Sequence, residues 1–299
     1  MIRAPQPGRV AARQSEAVPE SEKQAVEQPQ PPKLSAIVVS HNRVDLLRRC
    51  LEALERSAAR ETMEVLVVDN GSTDGSAGLE SEFPNVRFVR LPKNFGLTKA
   101  LNIGVRAAEA ESLFLLHEDT EVSPETVGAL AAVLDSRPEA GAVCPLLVTP
   151  EGQAAPQLGT LPPDDTYQPA EARSEPYAVE YPRGAALLVR AFFLKALGKL
   201  DERYGQYGGD AELAFQIRRA GKQILLVPDV RVVHHGRETE SALRLADRKL
   251  GSALFIAKHM GFLAGLQARI GGVFGALGAF QFGQFSYLLS GQKLDGTQS

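Results

Sequence analysis

Between Leu34 and Val148 the chain repeats one unit: a short apolar run, a polar turn, then a segment with apolar residues at helical spacing. The runs are SAIVVS (Ser35–Ser40), EVLVVD (Glu64–Asp69), VRFVRL (Val86–Leu91), SLFLLH (Ser112–His117) and AGAVCPLLV (Ala140–Val148). Strands with one wet face alternate apolar and polar residues, whereas strands buried on both faces read as continuous apolar stretches. These runs are of the second kind. The segments between them carry stripes such as Leu46, Leu47, Cys50, Leu51 and Leu54, the signature of amphipathic helices. The chain is therefore expected to be an α/β protein, with a mostly parallel central sheet covered by helices on both faces. Asn42 is placed to cap the first helix.

Three regions depart from this rhythm. Residues 1–33 are rich in Pro, Gln, Glu and Ala and poor in large apolar groups, so they read as a disordered tail. Residues 149–181 are again rich in Pro, Asp, Glu and Ala, and read as a long surface excursion of the kind that forms lids or specificity loops. Strand and helix patterns then resume through GAALLVR, AELAFQIRRAG, QILLVP and VRVVHH. The third departure follows residue 240. SALRLADRKLGSALFIAKHM reads as a long helix, and after it Arg269 is the one charge before Lys293. That length nominally suits a bilayer span, but Gln281, Gln284 and several glycines argue instead for amphipathic helices on a membrane surface. A buried helical hairpin or an oligomer contact is the alternative. The division expected is thus a tail over 1–33, a catalytic-type α/β domain over 34–240, and a helical extension over 241–299.

The net charge of −3 gives no basic excess, so no nucleic acid is expected as partner. Cys50 and Cys144 form no metal or disulfide spacing, which fits a reducing cytosol. The first residues carry no secretory-leader pattern, so a cytoplasmic location is expected, peripheral on the inner face of the cell membrane if residues 261–290 touch lipid.

Polar clusters sit at the ends of the apolar runs: Ser40-His41-Asn42, Asp69-Asn70-Gly71-Ser72, His117-Glu118-Asp119, and Gly209-Asp210-Ala211-Glu212 backed by His234 and His235. In open α/β sheets the carboxyl ends of the strands converge on one crevice, where ligands bind. A dinucleotide oxidoreductase is disfavoured, because no G-x-G-x-x-G follows the first strand.

The stretches AIVVSHNRVDLLRRCLEAL, EVLVVDNGSTDGS, FPNVRFVRLPKNFGLTKALNIGVRAA, LFLLHEDTEV and LDERYGQYGGDAELAFQIRRAGKQILLVPDVRVVHHG lie in register along the chain. Together they resemble family 2 glycosyltransferases of the GT-A fold, and within these the bacterial rhamnosyltransferase and galactofuranosyltransferase-like enzymes. The resemblance runs from about Leu34 to Gly236 and is specific for the family but not for the sugar. It implies that Asp69 contacts the base or ribose of a nucleotide, and that Ser40 and Asn42 flank it. It implies that Asn94, Gly96 and Asn102 shape the floor beneath the nucleotide-sugar, with loop geometry as the alternative for Gly96.

By the same resemblance, HEDTEV occupies the place of a D-x-D-type metal motif. Asp119 is then the acid that binds Mn²⁺ or Mg²⁺, and His234 of RVVHHG completes the metal shell. His117 ligates the metal, hydrogen-bonds the ribose or a metal-bound water, or fills space. Arg183 holds a diphosphate oxygen or forms a salt bridge. YGGDAEL matches Y-G-E-D-V-D-L, which makes Asp210 the catalytic base and Glu212 an acceptor-orienting group, while Gly209 stands where an acid is usual. The processive signature Q-x-x-R-W is missing, and the chain has no Trp. The resemblance implies an inverting, metal-dependent transfer from a UDP- or dTDP-sugar to a hydroxyl of a glycan or lipid-linked glycan. The rival is a non-catalytic nucleotide-sugar-binding or scaffold protein, suggested by His117 and Gly209.

Overall fold

The computed structural model describes residues 32–164, 166–236 and 241–291. The tail expected over residues 1–33 lies outside the described residues, except for Pro32 and Lys33. Twelve strands follow among the described residues: β1 (Leu34–Ser40), β2 (Met63–Asp69), β3 (Arg87–Arg90), β4 (Ser112–His117), β5 (Thr120–Val122), β6 (Ala140–Val148), β7 (Pro156–Gly159), β8 (Gln168–Pro169), β9 (Tyr177–Val179), β10 (Tyr181–Pro182), β11 (Ala186–Arg190) and β12 (Gln223–His234). The α-helices are α1 (Val44–Glu55), α2 (Leu79–Glu82), α3 (Leu97–Ala107), α4 (Thr126–Ser136), α5 (Ala191–Ala196), α6 (Gly209–Arg219), α7 (Ala242–His259), α8 (Phe262–Gly278) and α9 (Phe282–Ser290).

The main sheet runs β3-β2-β1-β4-β11-β6-β12-β5, with β9 also paired to β12. The expected parallel pairing holds from β3 to β4 and between β6 and β12. β11 lies antiparallel to both neighbours, β4 and β6, so the sheet as a whole is mixed. The reason is the connection. The chain reaches β11 from β6 through the 149–181 excursion, not through a helical crossover, and only parallel neighbours require a crossover.

Burial on both sheet faces explains the continuous apolar runs. Ala36, Val38, Val65, Val67, Phe114 and Leu116 turn to one face, where α1 and α4 cover them with Leu47, Leu51, Leu130 and Leu134. Ile37, Val39, Leu66, Val68, Leu113 and Leu115 turn to the other, under α3, α5 and α6. The two free cysteines are divided between these layers and are buried.

Several local readings are corrected. α1 begins at Val44, and its first N–H is capped by Asp74 Oδ2 at 2.9 Å. Asn42 instead has φ of 53° and accepts from Thr73 N through Oδ1 at 2.7 Å, tying two strand-end turns together. QILLVP and VRVVHH form one strand, β12, with a register shift between Val227 and Arg231. One half of β12 pairs with β9 and the other with β5, so the break serves two partners. The 149–181 excursion holds short strands, including the separate sheet β10-β7-β8. Strands of two to four residues leave no periodic signal in a sequence.

α7, α8 and α9 pack on one another around Ala246, Leu250, Ala276 and Leu288. α7 is tied to α6 by Glu212, which is buried and accepts from Lys258 Nζ at 2.6 Å and pairs with His259 Nε2 at 2.7 Å. Tyr204 and Gln216 also donate to this carboxylate. Phe262, Leu263, Phe274, Phe280 and Phe282 stand exposed on α8, α9 and the turn between them. Among the described residues no helix is long and apolar enough to cross a membrane.

Candidate functional site

The carboxyl ends of β1 and β4 and the end of β12 open onto one cavity of about 410 Å³. Its other walls come from the start of α6, the excursion and α7. Of the residues singled out from the sequence, Ser40, Asn94, His117, Asp119, Arg183, Asp210 and His234 line it.

β4 ends at His117, and a two-residue turn carries Asp119 into β5. β5 pairs with the end of β12, where His234 lies opposite Thr120. This pairing brings His117, Asp119 and His234 together, each offering one ligand atom within 4.8 Å of the others. Asp119 divides its two oxygens. Oδ2 accepts from Arg43 Nη1 at 2.7 Å, and Oδ1 lies 3.4 Å from His234 Nε2 without a well-formed hydrogen bond. His117 Nε2 is likewise buried with no hydrogen-bond partner. Burial pushes the His117 imidazole down to about 4, so it is neutral near pH 7 and presents a lone pair. Burial opposes ionisation of Asp119, but His234, His117 and Arg43 outweigh it and hold the carboxyl well below its usual range.

Buried polar atoms are nearly always satisfied, so two orphans facing a third donor need an explanation. A divalent cation supplies one. The residues present fit a cation, with two imidazoles and one carboxylate. Imidazole donors favour a transition ion such as Mn²⁺ over Mg²⁺.

Asp210 is the second residue of α6, whose cap Gly208 has φ of 99°. A carboxylate here is stabilised by the helix N-terminus. Asp210 Oδ2 accepts from Gly184 N at 3.2 Å. A Cβ on Gly184 would lie 2.8 Å from Asp210 Cβ, so glycine is what allows this approach. Beside it, the hydroxyls of Tyr167 and Tyr181 are hydrogen-bonded at 2.7 Å. Burial, then the Asp210 charge, raise the Tyr181 hydroxyl well above its usual pKa and keep it a neutral donor. Gly209 also has a local cause. A Cβ there would sit 2.7 Å from Thr98 Oγ1, which donates to Gly205 O. An acid at this position would collide with α3.

Other candidates are placed elsewhere. Asp69 accepts from Ser72 N at 2.9 Å and shapes the turn after β2, and it does not line the cavity. Gly96 has φ of 84° and caps α3, which fits the loop-geometry alternative. Asn102 is buried and bonded to both backbone groups of Leu200. Glu212, expected on the acceptor side, is corrected: its oxygens are engaged by four partners at the α6–α7 junction, outside the cavity lining. Sequence reasoning missed Arg43, Tyr167, Tyr181, Arg244 and Arg248, and gave no role to Asn70 of the second strand-end cluster; all six line the cavity. Asn70 Nδ2 donates to Asn94 Oδ1 at 2.8 Å and so fixes the one expected floor residue that does line it. Closeness to Ser40 was the one available signal for Arg43; the two tyrosines lie in the excursion and the two other arginines in α7.

A cavity at the strand ends, with a metal-type triad on one wall and a helix-borne carboxylate on another, suits transfer of a sugar from a nucleotide donor. Residues 35–197 match glycosyl transferase family 2, and the chain belongs to that family. It is 28% identical over 264 residues to the N-acetylglucosaminyl-diphospho-decaprenol L-rhamnosyltransferase of Mycobacterium tuberculosis, covering 77% of this chain and 86% of the relative. It is 30% identical over 234 residues to the O-antigen biosynthesis protein RfbC of Myxococcus xanthus, covering 72% of this chain and 18% of that one. Among solved structures, GalNAc-T7 with UDP, GalNAc and Mn²⁺ superposes with a TM-score of 0.61 at 17% identity, over 77% of this chain and 48% of that one. The chain thus spans about half the length of GalNAc-T7. The mannosyltransferase PcManGT of Pyrobaculum calidifontis, in complex with GDP-Man and Mn²⁺, gives 0.58 at 21% identity, over 78% and 65%. These likenesses establish the GT-A glycosyltransferase fold.

Proposed function

We propose that this chain is an inverting, metal-dependent glycosyltransferase. It moves a sugar from a UDP- or dTDP-sugar to a hydroxyl of a glycan or lipid-linked glycan in bacterial surface polysaccharide synthesis. The observation that carries this reading is the convergence of the His117–Asp119–His234 triad and Asp210 on one cavity. The names of the relatives support the acceptor class: the mycobacterial one acts on a sugar diphospho-decaprenol, and the other serves O-antigen synthesis.

Asp119, His234 and His117 would hold Mn²⁺, or less favourably Mg²⁺. A cation held there would offset the negative charge that grows on the leaving diphosphate. Arg183, stacked on the Tyr167 ring at 4.6 Å, presents a guanidinium to the same cavity and is suited to a diphosphate oxygen. Asp210 takes the proton of the acceptor hydroxyl as that oxygen bonds the anomeric carbon and the carbon–phosphate oxygen bond breaks. Gly184 N–H holds the Asp210 carboxylate in place for this.

The scaffold reading drew on His117 and Gly209. Both now have local accounts that need no loss of activity: a neutral imidazole with an orphaned lone pair, and close packing on Thr98. The exposed apolar residues of α8 and α9 support a peripheral membrane contact near a lipid-linked acceptor.

Calorimetry with UDP and dTDP, with and without Mn²⁺, tests the donor site, and a donor panel scored for slow sugar-nucleotide hydrolysis tests the chemistry. The expected result is Mn²⁺-dependent binding of one nucleotide and hydrolysis of its sugar conjugates. Metal-independent binding with no hydrolysis across the panel would favour the scaffold.

A further inference from the structure

Asp210 is held by two backbone amides. Gly184 N donates to its Oδ2 at 3.2 Å and Ala211 N to its Oδ1 at 2.9 Å. An ionised carboxylate offers about four lone-pair sites and no donor, so these bonds leave roughly two open. For a group that must meet an incoming hydroxyl, what fills the remaining sites decides where the carboxylate points.

The side chain placed to fill one of them is Tyr181. It lies in β10, which packs on α6, and only Pro182 and Arg183 separate it from Gly184. It is 3% exposed, yet it lines the same cavity as Asp210. Its hydroxyl is bonded to that of Tyr167 at 2.7 Å. Burial, then the Asp210 charge and Tyr167, and a hydrogen-bonding contact with Asp210, raise the pKa of this hydroxyl. A hydroxyl has one hydrogen to give, and an ionised carboxylate can only accept. The Tyr181 hydrogen therefore goes to Asp210, and the Tyr167 hydrogen goes to the Tyr181 oxygen. The result is a directed chain from Tyr167 through Tyr181 to Asp210. Its outer end is fixed as well. The two rings meet at 5.7 Å with a tilt of 55°, and the Arg183 guanidinium lies over the Tyr167 ring at 4.6 Å. Packing accounts for the rings. It does not account for two hydroxyls bonded in series toward a carboxylate, because a buried hydroxyl costs free energy unless it is bonded, and phenylalanine would fill the same space.

We propose that Tyr181 is a positioning residue for Asp210. Its hydroxyl, itself oriented by Tyr167, donates to the carboxylate and, with the Gly184 and Ala211 amides, leaves one lone-pair side for the acceptor hydroxyl. The excursion thereby sets the aim of a group carried by α6. The catalytic consequence rests on the reading of Asp210 as the base; the bonded chain does not.

Two measurements separate these. The first is a urea-unfolding cycle of Tyr181→Phe, Asp210→Ala and the double variant. The contact predicts that the double variant loses less stability than the sum of the single losses. Additive losses overturn the proposal, whatever Asp210 does in the reaction. The second is hydrolysis of the sugar nucleotide selected by the donor panel, with Mn²⁺ and with water in place of the acceptor hydroxyl. Tyr181→Phe is expected to lower kcat by roughly fivefold or more, the scale of one lost hydrogen bond, with the donor KM unchanged. Tyr167→Phe should lower kcat less, also at unchanged KM. General damage to the cavity would move KM as well. An unchanged kcat in Tyr181→Phe beside a large fall in Asp210→Ala overturns the positioning role and leaves the base in place. A larger fall in Tyr167→Phe than in Tyr181→Phe overturns Tyr181 as the last member of the chain. A wild-type kcat in Asp210→Ala ends the base reading and the positioning role with it, while the unfolding cycle still decides the bonded chain.

Discussion

Arg43 Nη1 donates to Asp119 Oδ2 at 2.7 Å, and the other oxygen of Asp119 faces His234 Nε2 at 3.4 Å. One carboxylate is thus held by a permanent cation on one side and leaves its other oxygen facing His234, where the proposed metal would bind. Removing the guanidinium leaves a buried carboxylate without its partner, a change that costs about 3 kcal/mol or more. Arg43→Met is therefore expected to lower metal-free stability by about that amount. It also removes a positive charge that repels a divalent ion. Adding Mn²⁺ should then raise the melting temperature more in the variant than in the wild type. Equal Mn²⁺ shifts in the two proteins would show that Asp119 is not a metal ligand.

Asp210→Asn keeps the shape of the side chain and its contact with Gly184 N, but cannot take a proton. General-base catalysis is worth roughly 10²–10⁴-fold, so transfer should fall by that factor. Donor affinity should be unchanged, because in the proposed mechanism Asp210, at the start of α6, meets the acceptor and not the donor. Calorimetry of the donor beside single-turnover transfer makes the comparison. Transfer near the wild-type rate would remove Asp210 from the mechanism.

Gly209 faces Thr98, and a Cβ there would lie 2.7 Å from the hydroxyl oxygen. Overpacking of this kind costs about 1–3 kcal/mol, and Gly209→Ala is expected to fall in that range. Thr98→Ala removes the colliding atoms but also the bond to Gly205 O. The double variant should consequently be more stable than the sum of the two single losses predicts. Additive losses in urea unfolding would mean that the glycine is kept for another reason.

The strand-end cluster was legible because it obeys a local rule: polar residues directly after continuous apolar runs, as at Ser40, His117 and Asp119. That Asp119 and His234 share a site was implied by the resemblance alone, and in the fold they meet through the pairing of β12 with β5. What remained hidden depends on packing between distant segments. Tyr181 sits in a strand too short to leave a pattern, Tyr167 just before another, and Arg244 and Arg248 enter the cavity from a helix that reads as part of an extension. Asn102 and Glu212 erred the other way. They carry functional-looking side chains within a matched segment, yet their polar atoms are consumed by Leu200 in one case and by Tyr204, Gln216, Lys258 and His259 in the other. Spacing along the chain cannot tell a ligand group from a tertiary tie.

The Glu212 tie has a pH signature. Burial raises its pKa, but Lys258, Gln216, His259 and Tyr204 outweigh that and leave it below the ordinary 4.5. A depressed carboxylate contributes stability above its unfolded-state pKa and loses it as pH falls through the folded-state value. Asp201, also depressed and bridged to Lys258 at 2.8 Å, acts in the same sense. The melting temperature is thus expected to be level near neutrality and to fall below about pH 4.5. Glu212→Gln should lose about 2 kcal/mol at pH 7, within the range for hydrogen bonds to a charged group. It should also show a shallower acid limb. An acid limb as steep as that of the wild type would assign the pH dependence to other carboxylates.

The surface of α8 and α9 makes a prediction about salt. Phe262, Phe274 and Phe282 are each more than 60% exposed, and Phe280 between the helices is 79% exposed. Nothing charged balances them: Arg269 is the one ionic residue of the two helices, and its guanidinium donates to Leu288 O and Leu289 O. Attachment to a bilayer through this surface would come from burying apolar area, at roughly 1.5–3 kcal/mol for each fully buried phenylalanine. Screening by salt acts on charges and leaves that contribution standing. Co-sedimentation with phosphatidylcholine vesicles is therefore expected to survive 0.5 M salt, with or without added anionic lipid. Replacing Phe262, Phe274 and Phe282 with Ser should lower the partition coefficient at least a hundredfold, since three side chains of even about 1 kcal/mol each exceed two decades. Release of the wild type by salt alone would mean that attachment is ionic and made elsewhere on the chain.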